Sequence, residues 1–250
     1  MSEQYKKIAF LAPRPGMTEH AFRSYWREVH GPLVAGSPGY AAYRQRYAQN
    51  HVLAPGPVGG NFAFAGMAEF WLPGDNEEAF SSTAIYRDRI RVDEMKFIDM
   101  NGTISMSAVE QVVKPGRGDA KAVLLSSRAP GLELDDFRNR FSSTYLPAAL
   151  EEKGFGDRIR GWSVNHVIEG SFRLPGARPV TALSVDCIEA IWFDSGEEMV
   201  AAFSSSGYTQ GIRPILQRLF SAQASCSFQA DEVVFFDQGL PVTAHPEKRS

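Results

Sequence analysis

This 250-residue sequence predicts two consecutive βαββαβ units whose antiparallel sheets face one another, an α+β pseudo-dimeric barrel within one chain. Three observations lead there. Sliding the chain from Pro15 to Pro130 lays PGMTEHAFR (Pro15 to Arg23) over PGLELDDFR (Pro130 to Arg138). The same register brings Pro32 onto Pro147, Gly39-Tyr40 onto Gly154-Phe155, and Asn50-His51-Val52 onto Asn165-His166-Val167. Both halves run through the same series of short apolar strands and helical periods, and a turn-rich segment, Lys114-Pro115-Gly116-Arg117-Gly118-Asp119, separates them. Two helices cover one face of each four-stranded sheet, so the equivalent sheet of the other half is the natural cover for the bare face. The expected division is 5–113 and 119–237 for the units, 114–118 for the linker and 238–250 for a polar, mobile tail.

The elements follow in order. Lys6 to Ala12 and Ala120 to Ser126 are short apolar runs that suit first strands. Thr18 caps a helix presenting Phe22, Tyr25, Trp26 and Val29 at helical spacing, expected to end before Gly31-Pro32; its counterpart presents Leu134, Phe137 and Phe141 and ends before Pro147. Tyr40 to Leu53 and Ile159 to Ile168 alternate as second strands, and Phe62 to Leu72 and Val180 to Phe193 supply third strands. Asp75 with Glu78, and Ser195 with Glu198, are spaced as capping boxes opening second helical regions, with Ser81-Ser82 and Ser204-Ser205-Ser206 as breaks inside them. A last strand closes each half. The loops APGPVGGN (Ala54 to Asn61) and EGSFRLPGARP (Glu169 to Pro179) are expected as a mobile rim over the barrel mouth, with a ligand cavity between the sheets.

Composition narrows the function. Twenty-nine acidic against twenty-six basic residues give a net charge of -3, which supplies no field for a nucleic-acid backbone. No apolar run is long enough to span a membrane, and the start MSEQYKKIAF lacks a signal-peptide core, so a soluble cytoplasmic protein is expected. Cys187 and Cys226 sit in apolar runs as small buried hydrophobes, without zinc-ligand spacing.

Trp26-Arg27-Glu28-Val29-His30-Gly31-Pro32-Leu33 after the first helix, and Ala190-Ile191-Trp192-Phe193-Asp194-Ser195 leading into the second helix of the second half, resemble the EthD-like branch of the dimeric α/β-barrel proteins. The resemblance covers both halves and describes a tandem fusion of two EthD-type domains. It implies a barrel usually built from two chains. It also implies cofactor-independent lyase, cyclase, dehydratase or lactone-isomerase chemistry on small aromatic, polyketide or lactone-like compounds. Tyr145 stands where His30 stands, so the histidine of the motif is kept only in the first half.

Under this reading His30 is the acid or base, His51 and Tyr43 orient or polarise a substrate oxygen, and Trp26, Tyr47 and Phe70 exclude water. Alternation along the second strand puts Tyr43, Tyr47 and His51 on one face, matched by Trp162, Val164 and His166. Glu69 and Glu189 are read as counterparts in the third strands, needing partners such as Arg44, Arg46, Arg158 or Arg160. Tyr145, His166 and Glu69 complete the expected substrate contacts. No metal or other cofactor is expected, and the partner is a small-molecule substrate, with a homodimer of the fused chain left open. Two other readings remain at this point: a non-catalytic ligand-binding or interaction barrel, and a haem-binding oxidoreductase with His166 as axial ligand.

Overall fold

The computed structural model describes residues 3–239 except 61, 77, 172, 175–177, 180–184 and 223, so the expected tail beyond Gly239 and residues 172 and 175–177 of the second rim loop lie outside the described residues. Strand β1 (Gln4–Leu11) leads to helix α1 (Glu19–Tyr25), which passes through a π turn (Trp26–His30) into α2 (Gly31–Ala35). Strands β2 (Arg46–Pro55) and β3 (Gly66–Trp71), a π turn (Tyr86–Ile90), α3 (Arg91–Phe97) and β4 (Ile104–Lys114) complete the first unit. The second begins with β5 (Ala120–Ser126), α4 (Leu134–Arg140), a π turn (Phe141–Tyr145), α5 (Leu146–Glu151) and β6 (Ile159–Val167). A short hairpin, β7 (Arg173–Leu174) and β8 (Arg178–Pro179), precedes β9 (Cys187–Phe193). Helix α6 (Gly196–Ser204), a π turn (Gly207–Ile212), α7 (Arg213–Leu219) and β10 (Cys226–Asp237) end it.

Each unit has the strand order of its βαββαβ topology: β4-β1-β3-β2 and β10-β5-β9-β6, all antiparallel. The sheets do more than face each other. Strand β2 hydrogen-bonds β10, and β4 hydrogen-bonds β6, so eight strands close into one barrel without a free edge between the halves. The helices pack outside it, where Phe22, Trp26 and Phe97 cover the first half and Phe137, Phe141, Phe203 and Leu216 the second.

The interior is filled, which corrects the expected cavity between the sheets. One end is apolar, with Ile8, Phe10, Met67, Met106, Leu125, Ile188 and Phe228 in contact. Phe62 stacks on Phe228 with ring centres 4.4 Å apart, and the loop before it is pinned to β10 by bonds from Gly56 N to Ser227 O and from Val58 N to Ser227 Oγ. The other end is charged. Lys6 Nζ lies 2.9 Å from Glu69 and 2.6 Å from Glu110, and Lys121 Nζ lies 3.2 Å from Glu69 and 2.9 Å from Glu232. Burial opposes ionisation of Glu69, but the charges of Lys121 and Lys6 and hydrogen bonds from Lys6 and Asn50 outweigh it and hold the carboxyl well below the usual range.

Three local expectations change. The first helix does not stop at Gly31-Pro32: the π turn closes with Gly31 N donating to Trp26 O, and Pro32, which has no N–H to donate back, follows directly after this wider turn at the start of α2. Tyr40–Ala42 is a 3-10 turn, and β2 starts only at Arg46. Thr18 and Ser195 cap their helices as expected, whereas Asp75 lies in a turn and Thr83 Oγ1 takes over, accepting from Tyr86 N.

Candidate functional site

Between the outer face of the first-half sheet and its helices lies a cavity of about 360 Å³. Its walls are aromatic, with Trp26, Tyr47, Phe70, Phe80 and Tyr86, and it carries His30 together with Arg44, Arg87, Arg91 and Glu94. Such a mix of apolar surface and a few polar groups suits a small organic ligand. The sheet contributes because odd residues of β1 and β2 and even residues of β3 point outward, which brings Lys7, Ala9, Tyr47, Ala68 and Phe70 to one surface. Tyr47 stacks on Phe70 at 4.7 Å.

His30 sits in the π turn, 5% exposed, with its ring 4.8 Å from that of Phe97. Its Nδ1 is 2.9 Å from Asp93 Oδ2. A carboxylate only accepts, so Nδ1 carries the proton of this bond and Nε2 is the nitrogen left for proton transfer. Asp93 is fixed in turn by Tyr25 Oη at 2.7 Å and Lys96 Nζ at 3.1 Å. The hydrogen bond from His30, aided by those from Tyr25 and Lys96, holds the Asp93 carboxyl well below the ordinary range against the effect of burial. An anchored imidazole at the wall of an aromatic cavity can take a proton from, or return one to, a bound molecule.

Of the residues expected from sequence, His30, Trp26, Tyr47 and Phe70 meet at this cavity. The others do not. His51 shares the outward face of β2 with Tyr47 but lies behind Trp26, ring centres 4.5 Å apart. Its Nε2 donates to Gln49 Oε1 at 2.8 Å, and burial and the Arg27 charge push its pKa down to about 4. Gly66 makes this packing possible, because a Cβ there would stand 2.4 Å from the Trp26 ring. Tyr43 precedes β2, so alternation never reached it; its ring touches Phe80 and it does not border the cavity. Glu69 points into the barrel, and its partners are Lys6 and Lys121 rather than Arg44 or Arg46.

Glu69 and Glu189 are not counterparts. Lys6 pairs with Trp71 across β1 and β3, and Lys121 with Trp192 across β5 and β9, so Glu69 matches Ala190 and Glu189 matches Ala68. The two carboxylates therefore face opposite sides of the sheet. Glu189 lies under the second-half helices, where its Oε2 accepts from Tyr145 Oη and Trp162 Nε1, both at 3.1 Å. Tyr145 occupies the position of His30, Trp162 that of Tyr47, and Ile215 that of Asp93, so this layer of the second half is a packed polar cluster within an apolar core. His166 Nε2 lies 2.9 Å from Gln111 Oε1, and the residue borders neither of the two cavities found among the described residues.

Sequence reading missed Asp93, Tyr86, Arg91 and Glu94, and named Arg44 only as a partner for Glu69. Tyr86 Oη donates to Glu94 at 3.1 Å, Arg91 Nη1 lies 3.3 Å from Glu94 Oε2, and the Arg44 guanidinium lies 5.6 Å from the Phe70 ring centre and 5.4 Å from that of Phe80. One signal was available for Asp93. The second half loses it together with His30, through Ile215 and Tyr145.

Eight closed antiparallel strands under two helical layers, with a site between sheet and helices of one half, define a fused form of the dimeric α/β barrel. Residues 14–101, within the first half, match the sequence model of the EthD domain. No curated protein matches the sequence. Solved structures share the fold at low identity. A candidate monooxygenase from Lactobacillus acidophilus NCFM has a TM-score of 0.55 and 9% identity, over 95% of this chain and 98% of that one. An anthrone oxidase-like protein has a TM-score of 0.57 and 10% identity, over 98% and 97%. Among the described residues no helix is long and apolar enough to cross a membrane, and no group of three or more His, Cys, Asp or Glu could hold a metal ion.

Proposed function

We propose that this chain is an enzyme that binds a small aromatic compound in the first-half cavity and moves a proton with His30. One observation carries the reading: the imidazole is tied through Nδ1 to Asp93, and the same ring borders a cavity whose other walls are aromatic. Arg44, lying against Phe70 and Phe80, supplies positive charge where an oxygen of the bound ring system would gain negative charge as its proton leaves. The trade of proton for stabilised oxyanion needs no cofactor and is the common first step of elimination, cyclisation and isomerisation. A carbanion made this way can also react with dioxygen, and the names of the structural relatives favour this second outcome.

The test uses a panel of hydroxylated bicyclic and tricyclic aromatics, anthrone included. Binding is followed by quenching of tryptophan fluorescence, and exchange of the acidic C–H by proton NMR in oxygen-free D2O. The protein should accelerate exchange, and His30→Ala should lower that acceleration by about two to four orders of magnitude while still binding. Exposure to air separates the outcomes. Conversion of anthrone to anthraquinone consumes one O2 and releases one water, whereas proton-transfer chemistry alone consumes none. A His30→Ala chain that exchanges as fast as the parent sinks the proposal, and binding without exchange across the panel leaves a ligand-binding barrel.

A further inference from the structure

At the charged end of the barrel the two halves and the linker meet around a second cavity of about 40 Å³, walled by Trp71, Trp162 and Trp192 and reached by Arg46, Arg117 and Ser163. It is separate from the site above. Arg46 belongs to β2, Arg117 to the linker and Ser163 to β6, so each contact comes from a different part of the chain. The linker reaches this place through a close approach of two glycines. Gly116 has φ +145°, a Cβ on it would lie 1.7 Å from Arg160 O, and one on Gly161 would lie 1.8 Å from Gly116 O.

The donors here outnumber the acceptors. Arg46 Nε and Nη1, Arg117 Nε and Ser163 Oγ are all buried without a hydrogen-bond partner. Arg46 is 2% exposed, the Arg117 side chain 4% and Ser163 5%. The carboxylate that also borders the cavity, Glu110, is committed elsewhere: Lys6 Nζ is 2.6 Å from its Oε1, and Trp71 Nε1 donates to its Oε2 at 2.8 Å. Arg46 Nε reaches no closer than 3.6 Å to Asp237, whose side chain is one-third exposed at the barrel edge. The Arg117 guanidinium has a salt bridge to Glu232 through Nη1, which leaves Nε unused.

Charge points the same way. Lys6, Lys121, Arg46 and Arg117 bring four cations on side chains almost withdrawn from solvent, against the similarly withdrawn carboxylates of Glu69, Glu110 and Glu232; the fourth carboxylate, Asp237, stands 3.6 Å from Arg46 Nε with its side chain one-third exposed. Arg46 and Arg117 are close enough to repel: burial first, then the Arg117 charge, pull the Arg46 pKa below its ordinary value. A buried cation paired only through one long contact to a part-exposed carboxylate is costly, and a planar guanidinium fork matches a small anion. The volume accommodates about three water-sized bodies, which suits a halide or a three- or four-atom oxyanion.

We infer that Arg46, Arg117 and Ser163 form a structural binding site for one small monovalent anion, a halide or a carboxylate-sized oxyanion, that ties the two halves and the linker together. Bromide and formate are the probes. Crystals of the full chain in sodium bromide should show an anomalous peak within hydrogen-bonding reach of Arg46 Nη1 and Arg117 Nε. In solution the melting temperature should rise saturably with bromide or formate beyond the effect of sodium sulfate at equal ionic strength, as linkage to a native-state site requires. Ser163→Ala should weaken the apparent affinity about fivefold by removing one hydrogen bond to the anion. Arg117→Met should abolish the response; if that variant does not fold, the wild-type crystal and Ser163→Ala decide. Ordered water in place of bromide, a bromide peak without saturable stabilisation, which is crystal binding only, or a Ser163→Ala dose response equal to that of the parent overturns the inference.

Discussion

Glu189 should make the folded chain less stable as pH rises through neutrality, and Glu189→Gln should remove that dependence. The carboxyl is fully buried in the second-half core; its Oε2 accepts from Tyr145 and Trp162, and its Oε1 has no partner. Burial without a cation pushes its pKa from 4.5 up to about 8, and the two hydrogen bonds offset only part of the effect. The sign follows from proton counts. Between the two values the unfolded chain has released this proton while the folded chain keeps it, so stability falls with rising pH from about 4.5 to 8 and levels off above. At roughly 1.4 kcal/mol per unit the loss is about 3 kcal/mol at pH 7 and at most about 5 kcal/mol at pH 8. Glutamine accepts the same two hydrogen bonds and adds an N–H pair without an acceptor, a cost that does not vary with pH. Thermal unfolding of both chains at pH 5, 6, 7, 8 and 9 measures the difference, in which every other titrating group cancels. For a chain of this length about 2–4 °C corresponds to 1 kcal/mol, so the variant should gain about 10 °C on the parent between pH 5 and pH 8 and no more above. A difference that stays constant over that range, or opens in the other direction, refutes the argument from desolvation.

Asp93→Asn should lower turnover by about ten- to hundredfold with little change in KM, because it leaves the cavity walls intact and removes only the anchor that orients the imidazole; equal kcat would show that His30 needs no anchor. Since the Asp93 carboxyl is depressed in the fold, its contribution is present above pH 4 and is lost on further acidification, a loss that acid unfolding of Asp93→Asn should lack. His51, with a pKa lowered to about 4, resists protonation in the fold, so stability is lost as pH falls from 6.5 to 4, by about 3 kcal/mol; His51→Phe should flatten that acid limb and retain activity. Lys121→Met strips a partner from both Glu69 and Glu232 and should cost about 3–5 kcal/mol in urea unfolding, whereas a loss under 1 kcal/mol would mean that the barrel interior admits water to those carboxylates.

The duplication is legible because the Pro-Gly and Phe-Arg pairs of PGMTEHAFR and the tripeptide Asn-His-Val recur in the second half at one shift, and the βαββαβ order follows from apolar periods alone. Which layer holds the cavity is not. Alternation correctly put Tyr47 and His51 on one face of β2, but it cannot say whether that face meets a helix or another sheet, and the barrel interior filled with side chains from both halves. Tyr43 went astray because a 3-10 turn at Tyr40–Ala42 is as aromatic as a strand. Pro32 suggested a helix end, since no sequence period reveals a π turn that restarts the helix at Gly31. Glu69 and Glu189 were paired because the segments containing them look alike. The Lys6–Trp71 and Lys121–Trp192 pairs set the register, and a displacement of one residue sends the carboxylates to opposite faces.

That displacement accounts for the asymmetry of the molecule. In the first half, Ala68 leaves room beneath the helices, and His30 with Asp93 faces a cavity. In the second, Glu189 fills the place of Ala68 and Tyr145 that of His30, and the two hydrogen-bond each other across the space a ligand would need. The exchange is self-consistent: without the Tyr145 and Trp162 donors, a carboxyl at Glu189 would be wholly unsatisfied, and without Glu189 the buried Tyr145 hydroxyl would lack an acceptor. Single substitutions toward the first-half pattern therefore strand a buried polar group, and even Tyr145→His combined with Glu189→Ala leaves Trp162 Nε1 and the new imidazole without acceptors, so opening this layer requires Trp162 and Ile215 to change as well. Fusion of the halves is what permits this division, because a barrel of two identical chains must carry the same residue at both places, and a fused one can keep one layer open for chemistry and pack the other for stability.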